Sequence, residues 1–117
     1  MKIINLRNNA ILADKAKIAD SFMTRLVGLL NRMSLDKGEA LILMPSNSIH
    51  SIFMRFTIDA IFLDKNGKII GLLPSFKPFR LSPIYFNAVL TIELPESTIK
   101  LTNTKLGDPI KLEEFPI

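Results

Sequence analysis

Residues 59–73 read DAIFLDKNGKIIGLL. Two apolar runs flank Asp64-Lys65-Asn66-Gly67, a tetrapeptide that suits a type I turn with Gly67 at positive φ. The flanking pieces, 59–63 and 68–73, are therefore expected to pair as an antiparallel hairpin. Ala60, Ile61, Phe62 and Leu63 are consecutive and apolar. A strand apolar on both faces must be covered on both, so this one belongs inside a sheet and not at its edge.

Outward from the hairpin, short strand-like pieces recur. KIINL at residues 2–6 and AILADKAKI at 10–18 read as a first and a second strand, parted by the turn-prone RNN. EALILM at 39–44 is a strand apolar on both faces and ended by Pro45; SIHSI at 48–52 is a shorter extended piece. NAVLTIEL at 87–94 places Ala88, Leu90, Ile92 and Leu94 on one face and Val89, Thr91 and Glu93 on the other. PIKLEEF at 109–115 supplies the last strand. In one place the period changes. Phe22, Leu26, Leu29, Leu30 and Met33 share one face of a helix over 21–32, with Ser21 placed to cap it. A second, short helix is expected in STIKLTN at 97–103, with Asn103 as its left-handed C-cap. Three prolines in PSFKPFRLSPIYF, residues 74–86, rule out a regular helix or central strand there and predict a rigid, irregular connection. About eight short strands with proline and glycine turns predict a mainly β fold, a sandwich or small barrel.

At 117 residues, with 48% hydrophobic and 22% charged residues, the chain has the composition of one globular domain spanning 1–117. Its net charge is +4. The excess lies before Asp59, where eight Lys/Arg stand against four Asp/Glu. No basic run accompanies it, which argues against a nucleic-acid partner. The absence of cysteine excludes disulfides and thiolate chemistry and fits a reducing compartment. MKIINLRNNAIL lacks the pattern of a signal peptide, and no apolar run approaches the roughly 18 residues of a spanning helix. These features predict a soluble, cytoplasmic protein with no membrane partner.

Chemistry-bearing residues cluster just before the hairpin. His50 is the only histidine, and Arg55 and Asp59 follow it within an otherwise apolar stretch. His50 suits a general base or a donor to a polar ligand; a histidine tied to a backbone carbonyl at the edge of the core is the plainer alternative. Arg55 can clamp an anion, Asp59 can orient His50, and the two can equally form an ion pair that fixes the loop. Lys77, Arg80 and Tyr85 lie on the proline-rich connection, where they either rim a site or simply solvate a surface. No short-spaced ligand set for a metal, phosphate-cradling glycine loop or nucleophile elbow is present, so no cofactor or metal is implied.

SIHSIFMRFTIDAIFLDKNGKI, with TRLVGLLNR upstream and VLTIELPEST and LGDPI downstream, resembles the signature of the domain-of-unknown-function 192 family. The resemblance runs from about Ala13 to Leu112 and rests on Arg25, Gly28 and Leu29, on Ile49-His50, Met54-Arg55-Phe56 and Ile58-Asp59, on Phe62-Leu63-Asp64, on Ile92-Glu93-Leu94-Pro95, and on Gly107-Asp108. It implies a compact β-sandwich resembling a jelly roll with a packed helix, and no activity, since the family has none assigned. Three departures stand out. The cysteine frequent before Ile-His is absent from PSNSIH; Thr57 replaces a common proline; and Ser97 replaces a glycine, so that turn is expected to avoid strongly positive φ.

Three functional readings follow. The leading one is a domain binding a small polar ligand, a sugar or an anion, in a pocket formed by His50, Arg55 and Asp59 with Lys77 on the opposite wall. The second is a structural or protein-interaction domain, which a flat exposed apolar patch would favour. The third is a hydrolase or isomerase using His50 and Asp59, for which no nucleophile is evident.

Overall fold

The computed structural model describes residues 1–19, 34–52 and 54–114. The helix expected over 21–32, with Phe22, Leu26, Leu29 and Leu30, lies outside them. The described strands are β1 (Lys2–Asn5), β2 (Ala10–Ala13), β3 (Lys15–Ala19), β4 (Glu39–Leu43), β5 (Ile58–Asp64), β6 (Ile69–Phe76), β7 (Ala88–Pro95) and β8 (Ile110–Glu113), with one short helix, α1 (Thr98–Leu101), before β8. They form two sheets, ordered β2-β1-β8 and β3-β4-β7-β5-β6.

The fold is mainly β, as predicted. Its central hairpin is also as predicted: β5 pairs antiparallel with β6 on one side and β7 on the other. Gly67 has a φ of 78°. Its N–H donates to the Asp64 carbonyl at 3.0 Å, and the Asp64 carboxylate accepts the N–H groups of Asn66 and Lys68. Two placements differ from expectation. AILADKAKI is not one strand. The Asp14 and Lys15 amides both donate to the Gly38 carbonyl, and there the chain leaves the first sheet as β2 and enters the second as β3. In addition, β6 continues through Pro74 to Phe76. It is an edge strand, where a missing N–H is tolerated, and the register slips by one residue between Ala60↔Leu73 and Ile58↔Phe76. The β3–β4 pair is parallel, a feature an all-antiparallel jelly roll lacks.

Two apolar cores flank the five-stranded sheet. The first lies between the sheets and joins Ile3, Leu12 and Ile110 to Ile42, Ile61, Ile92 and Leu94. The second lies on the outer face and holds Ile49, Met54, Ile58, Phe62, Phe76 and Ala88, with Tyr85 packed against it. Strand β7 is buried on both faces, including Thr91 and Glu93.

Helix α1 ends as read from STIKLTN. Asn103 takes a φ of 52°, and the Asn103 and Thr104 amides donate to the Lys100 and Ile99 carbonyls, a Schellman closure. Its start corrects an expectation: Ser97 has a φ of 77°, although it carries a side chain. Contacts on either side impose that conformation. Asp59 Oδ2 accepts the Ile99 N–H at 2.8 Å, and Thr98 Oγ1 donates to the Pro95 carbonyl at 2.7 Å.

Candidate functional site

Residues 47–51 and 79–85 form an irregular antiparallel ribbon over the second core. The Tyr85 amide donates to the Asn47 carbonyl, the Ser82 amide to the Ile49 carbonyl, and the Phe79 amide to the Ser51 carbonyl. His50 and Leu81 face each other as a bridge. Prolines at 78 and 83 bar regular pairing, so side chains complete the ribbon. Ser82 Oγ accepts the Ile49 N–H at 2.8 Å. Ser51, fully buried, donates through Oγ to the Lys77 carbonyl and accepts the Arg80 N–H at 2.9 Å. Tyr85 anchors the far end, its ring centroid 4.3 Å from that of Phe62. A Cβ on Gly71 would stand 2.6 Å from the Tyr85 ring, so the ring rests on space a side chain would fill.

The ribbon turns Ile49 and Ser51 inward and His50 outward. Along its other limb Phe79 is 64% exposed, Leu81 74%, Ile84 54% and Phe86 83%. Arg80 and, just before the limb, Lys77 are exposed too. Neither limb brings an acidic residue: none occurs between Glu39 and Asp59 or between Asp64 and Glu93. A hollow of about 290 Å³ lies beside the ribbon, lined by Pro45, Ser46, Asn47, Ser48 and Ala88.

The four predicted site residues separate into two groups. His50 belongs to the ribbon, Lys77 stands just before its second limb with its carbonyl bonded to Ser51 Oγ, and Arg55 is exposed on the chain that follows the first limb. Asp59 is elsewhere. It is 1% exposed, and its two carboxylate oxygens accept the Ser75 amide at 2.9 Å and the Ile99 amide at 2.8 Å. Expected at the mouth of a pocket, it lies in the core, holding the β6 irregularity and the first turn of α1. A buried carboxylate is tolerated there because two N–H groups replace its water. Asp108 is a similar anchor. It accepts Asn5 Nδ2 at 2.8 Å, Arg7 Nε at 2.6 Å and the Lys105 amide at 2.8 Å. Burial pushes its carboxyl up, but these bonds and the Arg7 charge bring it down to about 2.

Sequence reading missed Ser51, which no motif distinguishes from its neighbours. It also passed over Glu93 as an alternating polar position. Glu93 is 5% exposed on the face of β7 shared with Thr91, and burial pushes its carboxyl up to about 7. Among the described residues no group of three or more His, Cys, Asp or Glu is placed to hold a metal ion. No helix among them is long and apolar enough to cross a membrane.

With this geometry in view, the comparisons with known proteins agree on the family and the fold. The family described as Uncharacterized ACR (DUF192) matches residues 3–112. A UPF0127 protein of Thermococcus sibiricus is 33% identical over 95% of this chain and 74% of its own length. One of Pyrococcus horikoshii is 31% identical over 93% of this chain and 96% of its own. A crystal structure of a protein of unknown function from Novosphingobium aromaticivorans superposes with a TM-score of 0.81 at 14% identity, covering 95% of this chain and 82% of that one.

Proposed function

The chain belongs to the domain-of-unknown-function 192 family, and we propose that it works there as a binding domain whose contact face is the ribbon of residues 47–51 and 79–85. One observation carries this reading. The ribbon is pinned at both ends by main-chain and serine hydrogen bonds, yet Leu81 and Ile84 on it and Phe86 directly after it stand exposed, on the same stretch as Lys77 and Arg80. An ordered apolar patch with a polar rim is what a contact surface requires. Catalysis by His50 with Asp59 draws no support, because both Asp59 oxygens already serve main-chain amides. The lack of cysteine fits a reducing, cytoplasmic setting for such a domain.

The test is photo-crosslinking in cells of the native host, with p-benzoylphenylalanine placed at 86 or at 101. Phe86 directly follows the ribbon's second limb, whereas Leu101 is 81% exposed on α1, whose Ile99 packs into the first core. Discrete adducts from 86 and none from 101 are expected. The same adducts from both positions, or none from 86, would refute a dedicated face. A second reading, a small sugar or anion bound in the hollow, is favoured by the three polar residues of its lining, Ser46, Asn47 and Ser48, with His50 two residues further along the chain. It predicts a thermal-shift response to such ligands that His50→Ala weakens.

A further inference from the structure

We infer that the ribbon's partner is an acidic segment of another protein, one whose carboxylates alternate with apolar side chains. The inference rests on the ribbon being the contact face and adds the chemistry of what it contacts.

Among the described residues, the two limbs of the ribbon carry cations and no acid. Lys77 and Arg80 sit among Phe79, Leu81, Ile84 and Phe86, and Lys65 and Lys68 are the remaining charged side chains between Asp64 and Glu93. Carboxylates on a partner would meet the exposed Lys77 and Arg80, with Arg80 offering a planar fork. Leu81, Ile84 and Phe86, all more than half exposed, need cover at the same time. A nucleic acid would neutralise the cations but present a charge-dense backbone to Leu81 and Ile84. A lipid surface would cover the apolar groups but press His50, at the middle of the patch opposite Leu81, toward hydrocarbon that offers its imidazole no partner. A second copy of this chain would set Lys77 and Arg80 against their own kind. A protein segment carrying both acids and apolar residues satisfies the cations, the apolar groups and the histidine together.

A fluorescein-labelled synthetic peptide of repeating Asp-Phe-Glu-Leu, about 16 residues long, provides the probe in fluorescence anisotropy, as in other charge-steered recognition. Two matched peptides replace its acids by Lys or its apolar residues by Ser. The acidic apolar peptide should bind, weaken as salt rises, and bind at least about tenfold less well to Lys77→Glu/Arg80→Glu, the size of a charge reversal at a contact. Leu81→Ser should weaken it independently. These side chains are exposed, so thermal melts of the variants should match wild type. Equal affinity for acidic and basic peptides would overturn the assignment of an acidic partner, while adducts from residue 86 would leave the contact face standing. Binding to vesicles of anionic phospholipid without binding to the peptide would overturn it in favour of a membrane surface. Concentration-dependent dimerisation abolished by Leu81→Ser would overturn it in favour of self-association.

Discussion

Gly67 and Ser97 occupy the same left-handed region of backbone space, at φ of 78° and 77°, and only one of them is a glycine. At Gly67 a Cβ would also come within 3.0 Å of the Ile110 carbonyl. Gly67→Val should therefore destabilise by about 1 kcal/mol or more, through strain in a β-branched residue and crowding of β8, as read by chemical denaturation. At Ser97 the strain is already present. Ser97→Gly should raise stability by roughly 0.5 kcal/mol, a modest gain because the freer glycine also loosens the unfolded chain. The turn at 64–67 was legible because its residues carry the conformational preference themselves. The conformation at 97 was not, because it is imposed by Asp59, 40 residues away along the chain at the Ile99 amide. The same partner explains the error over Asp59. A carboxylate in an apolar run reads as a site, whereas here it completes two main-chain segments that lack other acceptors.

The strands are local features, and the sequence periods located β1, β4, β5, β7 and β8 well. The ribbon is a different kind of element. Its prolines announced irregularity, but what organises it is Ser51, whose hydroxyl serves Lys77 and Arg80, residues that no local pattern connects to it. Ser51→Ala should cost about 1–3 kcal/mol, since it strands the Lys77 carbonyl and the Arg80 amide beneath the ribbon. Hydrogen exchange gives the more specific reading. The Phe79 and Arg80 amides should lose protection, while the amides of β5 and β7 keep theirs. Uniform loss of protection would mean that the ribbon and the sheet open as one unit.

Across the whole molecule, two buried carboxylates tilt stability with pH in opposite senses. Glu93 ionises near 7 in the folded chain against an ordinary 4.5, because burial disfavours its charge. Below about pH 4.5 it is protonated in both states. As pH rises to 7 the unfolded chain gives up the proton first, so roughly 3 kcal/mol of stability is lost across that window. Asp108 ionises at about 2 against 3.8, so its contribution, roughly 2 kcal/mol, is present above 3.8 and lost as pH falls toward 2. Denaturation curves should therefore show greatest stability near pH 4 to 5. Glu93→Gln should flatten the neutral limb and Asp108→Asn the acid limb. A folded chain with no change in stability between pH 4.5 and 7 would contradict the state assigned to Glu93.

Strand β1 lies between β2 and β8, so the opening and closing strands of the described chain are hydrogen-bonded neighbours. This has a consequence for synthesis. As the chain leaves the ribosome, Ile3 and Ile4 emerge more than a hundred residues ahead of their partners Leu112 and Lys111. The five-stranded sheet waits less long: β7 completes it at Pro95, before β8 is made. An apolar half-sheet formed by β1 and β2 must therefore stand uncovered on one edge until β8 has emerged. A released chain cut before residue 109 would hold every strand of the large sheet but leave β1 without β8, and it is this form in which chaperone contact should matter most.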